Sequence, residues 1–213
     1  MINNLKSFYI NLDYRTDRRA IVEANFKRVG LAPERVSAVS VVDAVAPNPV
    51  DGYNKIKDCE YACLLSHKKV LEKCTDKILV FEDDVEFVPD FNTKFKYLLE
   101  NVPDDFELLY LGVWTKGDFE MVKPGIARVR DGLSAHAYIA TKSAVDAMLP
   151  YFDGKHGQND IVMMNFNKKG TSYAAIPYLA YQGGSYSDLK GEMAPAWNSS
   201  DYPFWCCVAP TTT

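Results

Sequence analysis

The feature that most constrains this chain is a short apolar run, ILVF at residues 78–81, which the acids EDD follow at once. Four consecutive apolar residues without alternation are typical of a strand that is covered on both faces, as in a mostly parallel sheet. Helix and strand patterns alternate before and after this run. The sequence therefore predicts an α/β fold in which helices flank a central, mostly parallel sheet.

The other predicted elements follow from hydrophobic periodicity and from turn residues. Besides 78–81, we expect strands at residues 7–12, 36–42, 107–113, 134–141 and 173–177. Helices are expected at residues 17–29, 60–74, 91–99, 143–151 and 160–167, with Thr16 or Asp17 capping the first of them. The sequence after Tyr181 is rich in glycine and serine and predicts a long loop.

Length and composition favour one compact domain. The chain has 213 residues, 47% of them hydrophobic, which is enough for a core, and we assign residues 1–205 to this domain. Residues 206–213 are interpreted as a tail or as the start of a linker to a further domain downstream.

The net charge of −4 comes from acids and bases spread along the chain, which argues against nucleic acid as a partner. No apolar run reaches the length of a membrane span and the first residues lack a signal-peptide pattern, so we expect a cytoplasmic protein with no membrane span.

The acids Glu82, Asp83 and Asp84 follow the predicted strand directly, and ligands of open α/β sheets bind beyond the carboxyl ends of the strands. Because alternate residues of a strand point the same way, we expect Glu82 and Asp84 to converge and Asp83 to turn aside toward the loop or a ribose. Carboxylate oxygens suit Mg²⁺ or Mn²⁺, which also bridge to substrate phosphates. The sequence thus predicts a Mn²⁺ or Mg²⁺ site at Glu82 and Asp84, with a solvated acidic turn as the alternative. A phosphoacceptor receiver domain also pairs acids after a strand, but here the pair comes too late in the chain for that small fold.

Six segments resemble those of glycosyltransferase family 25, which includes lipopolysaccharide and procollagen sugar transferases, and they occur in the family's order. They are FYINLDYRTDRR (8–19), SAVSVVDA (37–44), EYACLLSH (60–67), ILVFEDD (78–84), AYIATKSAVDAML (137–149) and YQGGSYSDL (181–189). The chain departs from the family at Ala62, where glycine is usual. Its compact length also resembles glycosyltransferase domains of large DNA viruses, particularly the chlorella viruses. The resemblance implies the GT-A fold, with a mixed, mostly parallel sheet, and a sugar donor that carries a nucleoside diphosphate.

The resemblance also implies where the nucleotide lies. In such enzymes the first strand and the turn after it hold the base and the ribose, and here those positions are Asn11, Leu12, Asp13 and Arg18. Asp43, near the end of SAVSVVDA, is a further nucleotide-binding candidate. Arginines in a first helical turn are often solvated, and this is the alternative for Arg18.

The segment QNDIVMMNF (158–166) resembles a helix start at which GT-A enzymes place a carboxylate or an amide beside the reacting sugar. Asp160 is the first candidate for a general base or a sugar-binding acid. Gln158 and Asn159 are the amides that a retaining enzyme would present. Asp160 could equally cap the helix, which is a common use of aspartate, so both interpretations stay open.

The segment QGGSYSDLKG (182–191) is a candidate lid over the diphosphate. Gly183 permits a close approach of the backbone, while Gln182, Ser185 and Lys190 offer an amide, a hydroxyl and a cation. Lids of this kind exclude water from the reacting bond. An ordinary surface loop is the alternative.

The cysteines and histidines give weaker signals. Cys59 and Cys63 have the separation of half a zinc site, but no second Cys/His pair follows at zinc-finger spacing, so packed thiols without a metal are favoured. His67 falls among apolar residues of the helix predicted at 60–74 and is either a satisfied structural histidine or a site residue. His156 lies in the loop GKHGQND, from which it could reach a substrate near Asp160.

The residues and the resemblance together predict a metal-dependent glycosyltransferase. It would move a hexose or deoxyhexose from a UDP-sugar, of the UDP-glucose type, to a glycan or glycoprotein acceptor. The cation would stabilise the charge of the leaving diphosphate. The alternative is a non-catalytic module that recognises a nucleotide sugar or a glycan within a multidomain protein. The presence of both the EDD cluster and the QND segment favours an enzyme.

Overall fold

A computed structural model describes residues 5–115, 119–187 and 192–194, and of residues 185–187 and 192–194 it describes the backbone alone. The strands are β1 Lys6–Asn11, β2 Glu34–Ser37, β3 Lys77–Glu82, β4 Val85–Phe87, β5 Leu108–Tyr110, β6 Glu120–Lys123, β7 Ile126–Arg128, β8 Ala137–Thr141, β9 Ser172–Ala175, β10 Ala180–Gln182, β11 Ser185–Ser187 and β12 Glu192–Ala194. The helices are α1 Thr16–Arg28, α2 Asp58–Leu71, α3 Phe91–Asn101, α4 Lys142–Met148 and α5 Asn159–Asn167. None of the helices in the described part of the chain is long and apolar enough to cross a membrane.

The central sheet is mixed, with most of its strands pointing one way. Its eight strands lie in the order β2-β1-β3-β8-β5-β9-β7-β6. β2, β1 and β3 are parallel neighbours, as are β5 and β9, whereas β8 and β7 run antiparallel to the strands beside them. Only β8 and β7 therefore oppose the common direction within the sheet. This confirms the predicted α/β architecture with a mixed, mostly parallel sheet.

Strand β3 shows why the run ILVF is apolar throughout. Its side chains alternate between two cores, and each of the four is at most 1% exposed. Ile78 and Val80 belong to the core that α2, α4 and α5 cover, while Leu79 and Phe81 belong to the core that α1 and α3 cover. Burying an aliphatic or aromatic side chain contributes about 1.5–3 kcal/mol, so neither face of this strand tolerates a polar residue without a large loss of stability.

Two stretches differ from the sequence-based expectation. Residues 36–42, predicted as one strand, form the end of β2 and then a 3-10 turn over Val41–Asp43. The prediction failed because Val41 and Val42 are exposed, at 48% and 83%, although valine usually indicates a buried strand.

The sequence after Tyr181, predicted as a loop, contains the end of β10 and the antiparallel pair β11 and β12. Glycine and serine occur in hairpin turns as well as in loops, so composition alone did not distinguish the two.

The start of α1 is capped by neither of the residues that were expected to cap it. The helix begins at Thr16, Arg15 occupies the N-cap position, and no side chain makes a capping hydrogen bond there. Asp17 lies in the first turn, where its negative charge suits the positive end of the helix dipole. The short strands β4, β6 and β7 were not predicted, because their three or four residues are too few to show a period.

Gly112 lets the end of β5 and the start of β10 approach each other closely. A Cβ at this position would lie 2.1 Å from the carbonyl oxygen of Ala180 and 2.8 Å from Nε2 of His136. The carbonyl of Leu111 accepts hydrogen bonds from the backbone N–H groups of Leu179 and Ala180, at 2.7 and 3.1 Å. This contact holds β10 in place, and β10 carries Gln182 to the acids at the end of β3.

Candidate active site

The carboxyl ends of β1 and β3 lie side by side because these strands are parallel neighbours. Asn11 ends β1, Glu82 ends β3, and the other two acids follow Glu82 in a turn. β4 continues from this turn and pairs with β10, which brings Gln182 to the same edge. The residues predicted from the strand ends are thus together, at the edge where open α/β sheets bind ligands.

Asp83 is held by the first strand and the first helix. Asn11 Nδ2 donates to Asp83 Oδ2 at 2.6 Å, and Arg18 Nη2 lies 2.7 Å from Asp83 Oδ1. Arg35 Nε in turn donates to Asn11 Oδ1 at 3.1 Å. Burial raises the pKa of Asp83, against the lowering effect of Arg18 and Asn11. The Arg18 side chain is only 12% exposed, so it is an internal partner of the acids and not a solvated helix charge.

Asp84 is the acid whose charge is compensated least. Its Oδ2 lies 3.1 Å from Arg18 Nη2 and accepts a weak hydrogen bond from Gln182 Nε2 at 3.4 Å. Its Oδ1 is buried without a hydrogen-bond partner among the described residues. Burial raises the pKa of Asp84 to about 7, and the charge of Glu82 adds to that rise. A buried carboxylate oxygen without a partner costs free energy, which a bound cation would recover.

Glu82 faces the neighbouring helix α2. Its Oε1 lies 3.1 Å from His67 Nε2, and His67 Nδ1 lies 3.1 Å from the hydroxyl of Tyr138. Burial alone would raise the pKa of Glu82, but the hydrogen bond and charge of His67 outweigh it and hold that pKa below its usual value. His67 is 1% exposed. It is therefore a satisfied buried histidine, and it is also in contact with a residue of the predicted site.

The arrangement of the three acids differs in one respect from the expectation. Asp83 does not turn away from Asp84, because both carboxylates contact the same guanidinium of Arg18. Glu82 leans toward α2, and its charge contributes to the raised pKa of Asp84. The unpartnered oxygen of Asp84 is a donor of the kind that Mg²⁺ and Mn²⁺ prefer, and the assignment of Glu82 and Asp84 as the two metal ligands stays a prediction.

The start of α5 adds a fourth acid. Gln158 is the N-cap residue, its side chain makes no capping hydrogen bond, and Asp160 lies in the first turn of the helix. Asp160 is thus not the N-cap, and its Oδ1 is buried without a hydrogen-bond partner in the described structure. Burial raises the pKa of Asp160, a hydrogen bond with Gln158 opposes the rise, and the charge of Glu82 adds to it. Asn159 is buried, with its Oδ1 3.9 Å from Cys63 Sγ.

The remaining nucleotide-binding candidates lie around the end of β1. Asp13 is exposed, forms an ion pair with Arg35 and accepts a hydrogen bond from Ser37 at 2.8 Å. The backbone carbonyl of Leu12 accepts a hydrogen bond from Arg15 at 3.0 Å. Asp43 is exposed at the end of its 3-10 turn, and no hydrogen bond or ion pair joins its carboxylate to another described residue.

The candidate lid is described only in part. The N–H of Gly183 donates to the carbonyl of Asp84 at 2.7 Å, and a Cβ on Gly183 would meet Glu86 Oε1 at 2.6 Å. Ser185 lies in β11, of which the backbone alone is described. Lys190 lies outside the described residues. Gly183 therefore provides a close backbone contact with the acid turn itself.

His156 does not contact Asp160. Its Nδ1 lies 3.0 Å from Asp153 Oδ1, and its ring packs edge-on against Tyr151 and Tyr53. The expectation that His156 could reach a substrate stays a prediction.

Arg35 and Tyr138, which orient Asn11 and His67, were not predicted from the sequence. Each acts across strands or between a strand and a helix, so no local pattern marked either residue. A cavity of about 170 Å³ beside Gln182 was also missed, and its lining includes Trp114, His136 and Tyr178.

Comparison with known proteins agrees with this geometry. The model of glycosyltransferase family 25 (LPS biosynthesis protein) matches residues 4–147. A putative glycosyltransferase of Acanthamoeba polyphaga mimivirus is 28% identical over 129 residues, which cover 55% of this chain and 40% of that protein. Human procollagen galactosyltransferase 2 is 31% identical over 125 residues, 49% of this chain and 20% of the relative. The human inactive glycosyltransferase 25 family member 3 is 29% identical over 125 residues, 49% of this chain and 21% of the relative.

The chain spans between a fifth and two fifths of the length of these relatives. The family match itself extends over more than half of the chain, from β1 through the acids at the end of β3 to α4. The mixed, mostly parallel sheet agrees with the fold that the family resemblance implies, and the chain therefore belongs to glycosyltransferase family 25.

Proposed function

We propose that this chain is a metal-dependent glycosyltransferase that takes a hexose from a UDP-sugar, with Glu82 and Asp84 as ligands of Mn²⁺ or Mg²⁺. The observation that carries the proposal is the buried, unpartnered Oδ1 of Asp84 at the carboxyl end of the sheet. A divalent cation there would stabilise the negative charge that develops on the leaving diphosphate. Family membership supports the same reaction class.

The nucleotide would lie along the end of β1. Asp83 and Arg18 support this surface from within, since they are paired with each other and are largely buried. Leu12 and Asp13 offer a backbone carbonyl and an exposed carboxylate to a base or a ribose. Asn11 is buried and would act on this surface through its hydrogen bonds to Asp83 and Arg35. Asp43 stays a candidate contact at the rim.

The lid would lie over the diphosphate from the side of β10. Gln182 already contacts Asp84, so any cation held by Asp84 would be close to the amide of Gln182. The backbone of Gly183 is tied to the acid turn. Ser185 and Lys190 remain the candidate phosphate contacts of this segment. Closure of such a lid would exclude water and so favour transfer over hydrolysis of the donor.

Asp160 is the proposed base or sugar-binding acid. Burial and the charge of Glu82 raise its pKa, which moves a carboxylate toward the range in which it exchanges a proton near neutral pH. Its unpartnered Oδ1 is available to accept a hydrogen bond from a sugar hydroxyl. The amides of Gln158 and Asn159, which directly precede it, would be the alternative contacts in a retaining enzyme.

The experiment that tests the proposal is release of UDP from a panel of UDP-sugars by the purified chain, with Mn²⁺, with Mg²⁺ and with EDTA. We expect slow, metal-dependent hydrolysis even without an acceptor, since a transferase exposes the activated donor bond to water. The panel should contain UDP-glucose, UDP-galactose and a UDP-deoxyhexose. A donor of the UDP-glucose type is the expectation stated above, whereas the procollagen relative is named a galactosyltransferase.

Asp84→Asn and Glu82→Gln should abolish the metal-dependent part of this turnover, because an amide keeps the shape of the side chain but loses the charge that holds the cation. Glu86→Gln, two residues further along the same chain, is the matched control and should retain turnover. Full activity of both acid variants in Mn²⁺ would show that the metal is bound elsewhere.

A non-catalytic recognition module is the second candidate, and one observation favours keeping it. A relative with 29% identity is named an inactive member of the family. A module of this kind would bind UDP or a UDP-sugar without releasing UDP over time. Binding by calorimetry without turnover of any donor in the panel would therefore support the module over the enzyme.

A further inference from the structure

Cys63, His67 and Glu82 bring a sulfur, a nitrogen and an oxygen together next to the acid turn. One ligand atom from each side chain lies within 4.8 Å of the other two. Cys63 and His67 are four residues apart on α2, so their side chains share one face of that helix. Glu82 reaches this face from the end of β3. The proposed function uses Glu82 but has no use for Cys63.

We propose that Cys63, His67 and Glu82 form a second cation site, selective for Zn²⁺ or a similarly soft divalent ion. Thiolate sulfur and imidazole nitrogen favour Zn²⁺ over Mg²⁺ and Mn²⁺, which prefer oxygen. Three protein ligands leave the fourth tetrahedral position to water. No second Cys/His pair follows Cys59 and Cys63 at zinc-finger spacing, but here a strand-end carboxylate supplies the third ligand.

The geometry needs little rearrangement to hold the ion. Zinc bonds of about 2.0–2.3 Å in a tetrahedron place the ligand atoms roughly 3.3–3.8 Å apart. His67 Nε2 and Glu82 Oε1 are already 3.1 Å apart, so the main change is an approach of the Cys63 sulfur by side-chain rotation. The thiol would release its proton to water on binding.

Tyr138 supports the histidine in this role. Its hydroxyl lies 3.1 Å from His67 Nδ1. In the metal-bound state it can accept a hydrogen bond from Nδ1–H, so that Nε2, which faces Glu82 in the metal-free structure, is unprotonated and binds the ion. A partner of this kind on the second ring nitrogen fixes the orientation and tautomer of a metal-bound histidine. Tyr138 is fully buried, so the histidine ring is held before any ion arrives.

The shared ligand has a consequence for the oxygen site, and this part of the inference rests on the proposed function. Zn²⁺ at Cys63 and His67 would hold Glu82 against α2 and so remove one of the two carboxylates that bind Mn²⁺. Zn²⁺ should then weaken Mn²⁺ binding, and Mn²⁺ should weaken Zn²⁺ binding by the same factor. The zinc site itself requires only the three side chains.

Co²⁺ is the probe for the site, because it takes the place of Zn²⁺ and reports a thiolate ligand by a charge-transfer band in the near ultraviolet. The test uses the full chain with Cys206→Ser and Cys207→Ser, so that these two cysteines, which are adjacent in the sequence, cannot bind the ion. We expect one Co²⁺ per chain with a thiolate band that Zn²⁺ removes. Cys63→Ser should abolish the band, while the matched control Cys59→Ser, one turn earlier on α2, should keep it.

Affinities add a quantitative check. Loss of a ligand in Cys63→Ser should weaken Zn²⁺ binding by more than about 100-fold, and Tyr138→Phe should weaken it by about 10- to 100-fold, as is typical for partners of metal-bound histidines. Absence of a thiolate band in the parent chain, or a band that survives Cys63→Ser, would overturn the proposal.

A measurement without substitution at the site guards against misfolded variants. In the parent chain, alkylation followed by mass spectrometry should show that Zn²⁺ protects Cys63 more than Cys59. Equal labelling of Cys63 with and without Zn²⁺ would reject the site. Neither measurement involves a UDP-sugar. A negative result for the zinc site would therefore leave the transferase proposal intact, and a negative result for the transferase would leave the zinc site intact.

Discussion

At the scale of single residues, three consecutive acids are compensated in three different ways. Glu82 has a histidine, Asp83 has an arginine and an asparagine, and Asp84 has only a share of that arginine and a weak amide contact. The uncompensated charge is therefore concentrated on Asp84. This residue should respond most clearly when its charge is removed or when a cation is added.

We predict that Asp84→Asn raises the stability of the metal-free protein above pH 7. The pKa of Asp84 rises from 3.8 to about 7 on folding, so between these values the folded chain keeps a proton that the unfolded chain has lost. This group therefore makes wild-type stability fall as the pH rises from about 4 to about 7, and the loss is complete above that range. The amide of Asn does not titrate, so the stability of the variant does not fall with rising pH on account of this position.

The measurement is thermal unfolding in EDTA across this pH range, with exposed Asp43→Asn as the control. Mn²⁺ should then reverse the ranking, because it stabilises the wild type and leaves Asp84→Asn unchanged. A variant that loses stability relative to wild type in EDTA at pH 8 would mean that Arg18 compensates Asp84 better than the geometry indicates.

The second residue-scale prediction concerns Asp160. Since Asp160 is not the N-cap of α5, Asp160→Asn should leave the melting temperature nearly unchanged. If the carboxylate accepts the proton of the acceptor hydroxyl, the same change should lower the transfer rate by roughly 10²- to 10⁴-fold with UDP affinity unaltered. Asp153→Asn, in the loop before α5, is the control. Wild-type transfer by Asp160→Asn would move the role to Gln158 or Asn159.

At the scale of elements, the long buried segments could be predicted and the short polar ones could not. The run at 78–81 became β3 because an apolar residue was required on both faces. The valines at 41 and 42 gave the opposite result, since local pattern cannot tell that a turn leaves them exposed. β4 has three residues and owes its existence to pairing with β10.

The site shows the same division between local and distant information. Acids at the end of a buried strand could be placed from the sequence, because strand ends determine where ligands bind. The hydrogen-bond partners of those acids could not be predicted from the sequence. Gln182 contacts Asp84 across 98 positions of the chain, and Arg35 contacts Asn11 across 24. Only the tertiary structure brings such residues together.

We predict that Gly112→Ala destabilises the fold by about 1–3 kcal/mol, the usual cost of overpacking. The added methyl would lie 2.1 Å from a backbone oxygen of β10, which cannot move without separating β10 from β5. Chemical denaturation is the measurement. Gly52→Ala is the comparison, because that site has open space and only an unfavourable backbone angle, a φ of +88°. If Gly112→Ala loses no more stability than Gly52→Ala, the close approach does not constrain the fold.

At the scale of the whole molecule, binding at the sheet edge should stabilise the folded chain. We predict that UDP together with Mn²⁺ raises the melting temperature, since a ligand that binds only the folded state adds about 2.7 kcal/mol at 100 times its dissociation constant. UDP alone and Mn²⁺ alone should give smaller shifts, because each lacks the other as a partner at the site. The absence of a shift with every nucleoside diphosphate, with and without metal, would refute a donor site in this chain.

The pairing of β4 with β10 has a consequence for how the protein acquires its binding capacity. The acid turn and Gln182 meet only after a segment of almost a hundred residues has closed into a loop, and contacts that close long loops tend to form late in folding. A refolding chain would therefore recover helical signal before it could retain a nucleotide. The rate at which nucleotide binding is recovered would then report the final step of folding. Substitutions in the β4–β10 pair would delay that step, while the rest of the sheet would assemble at its normal rate.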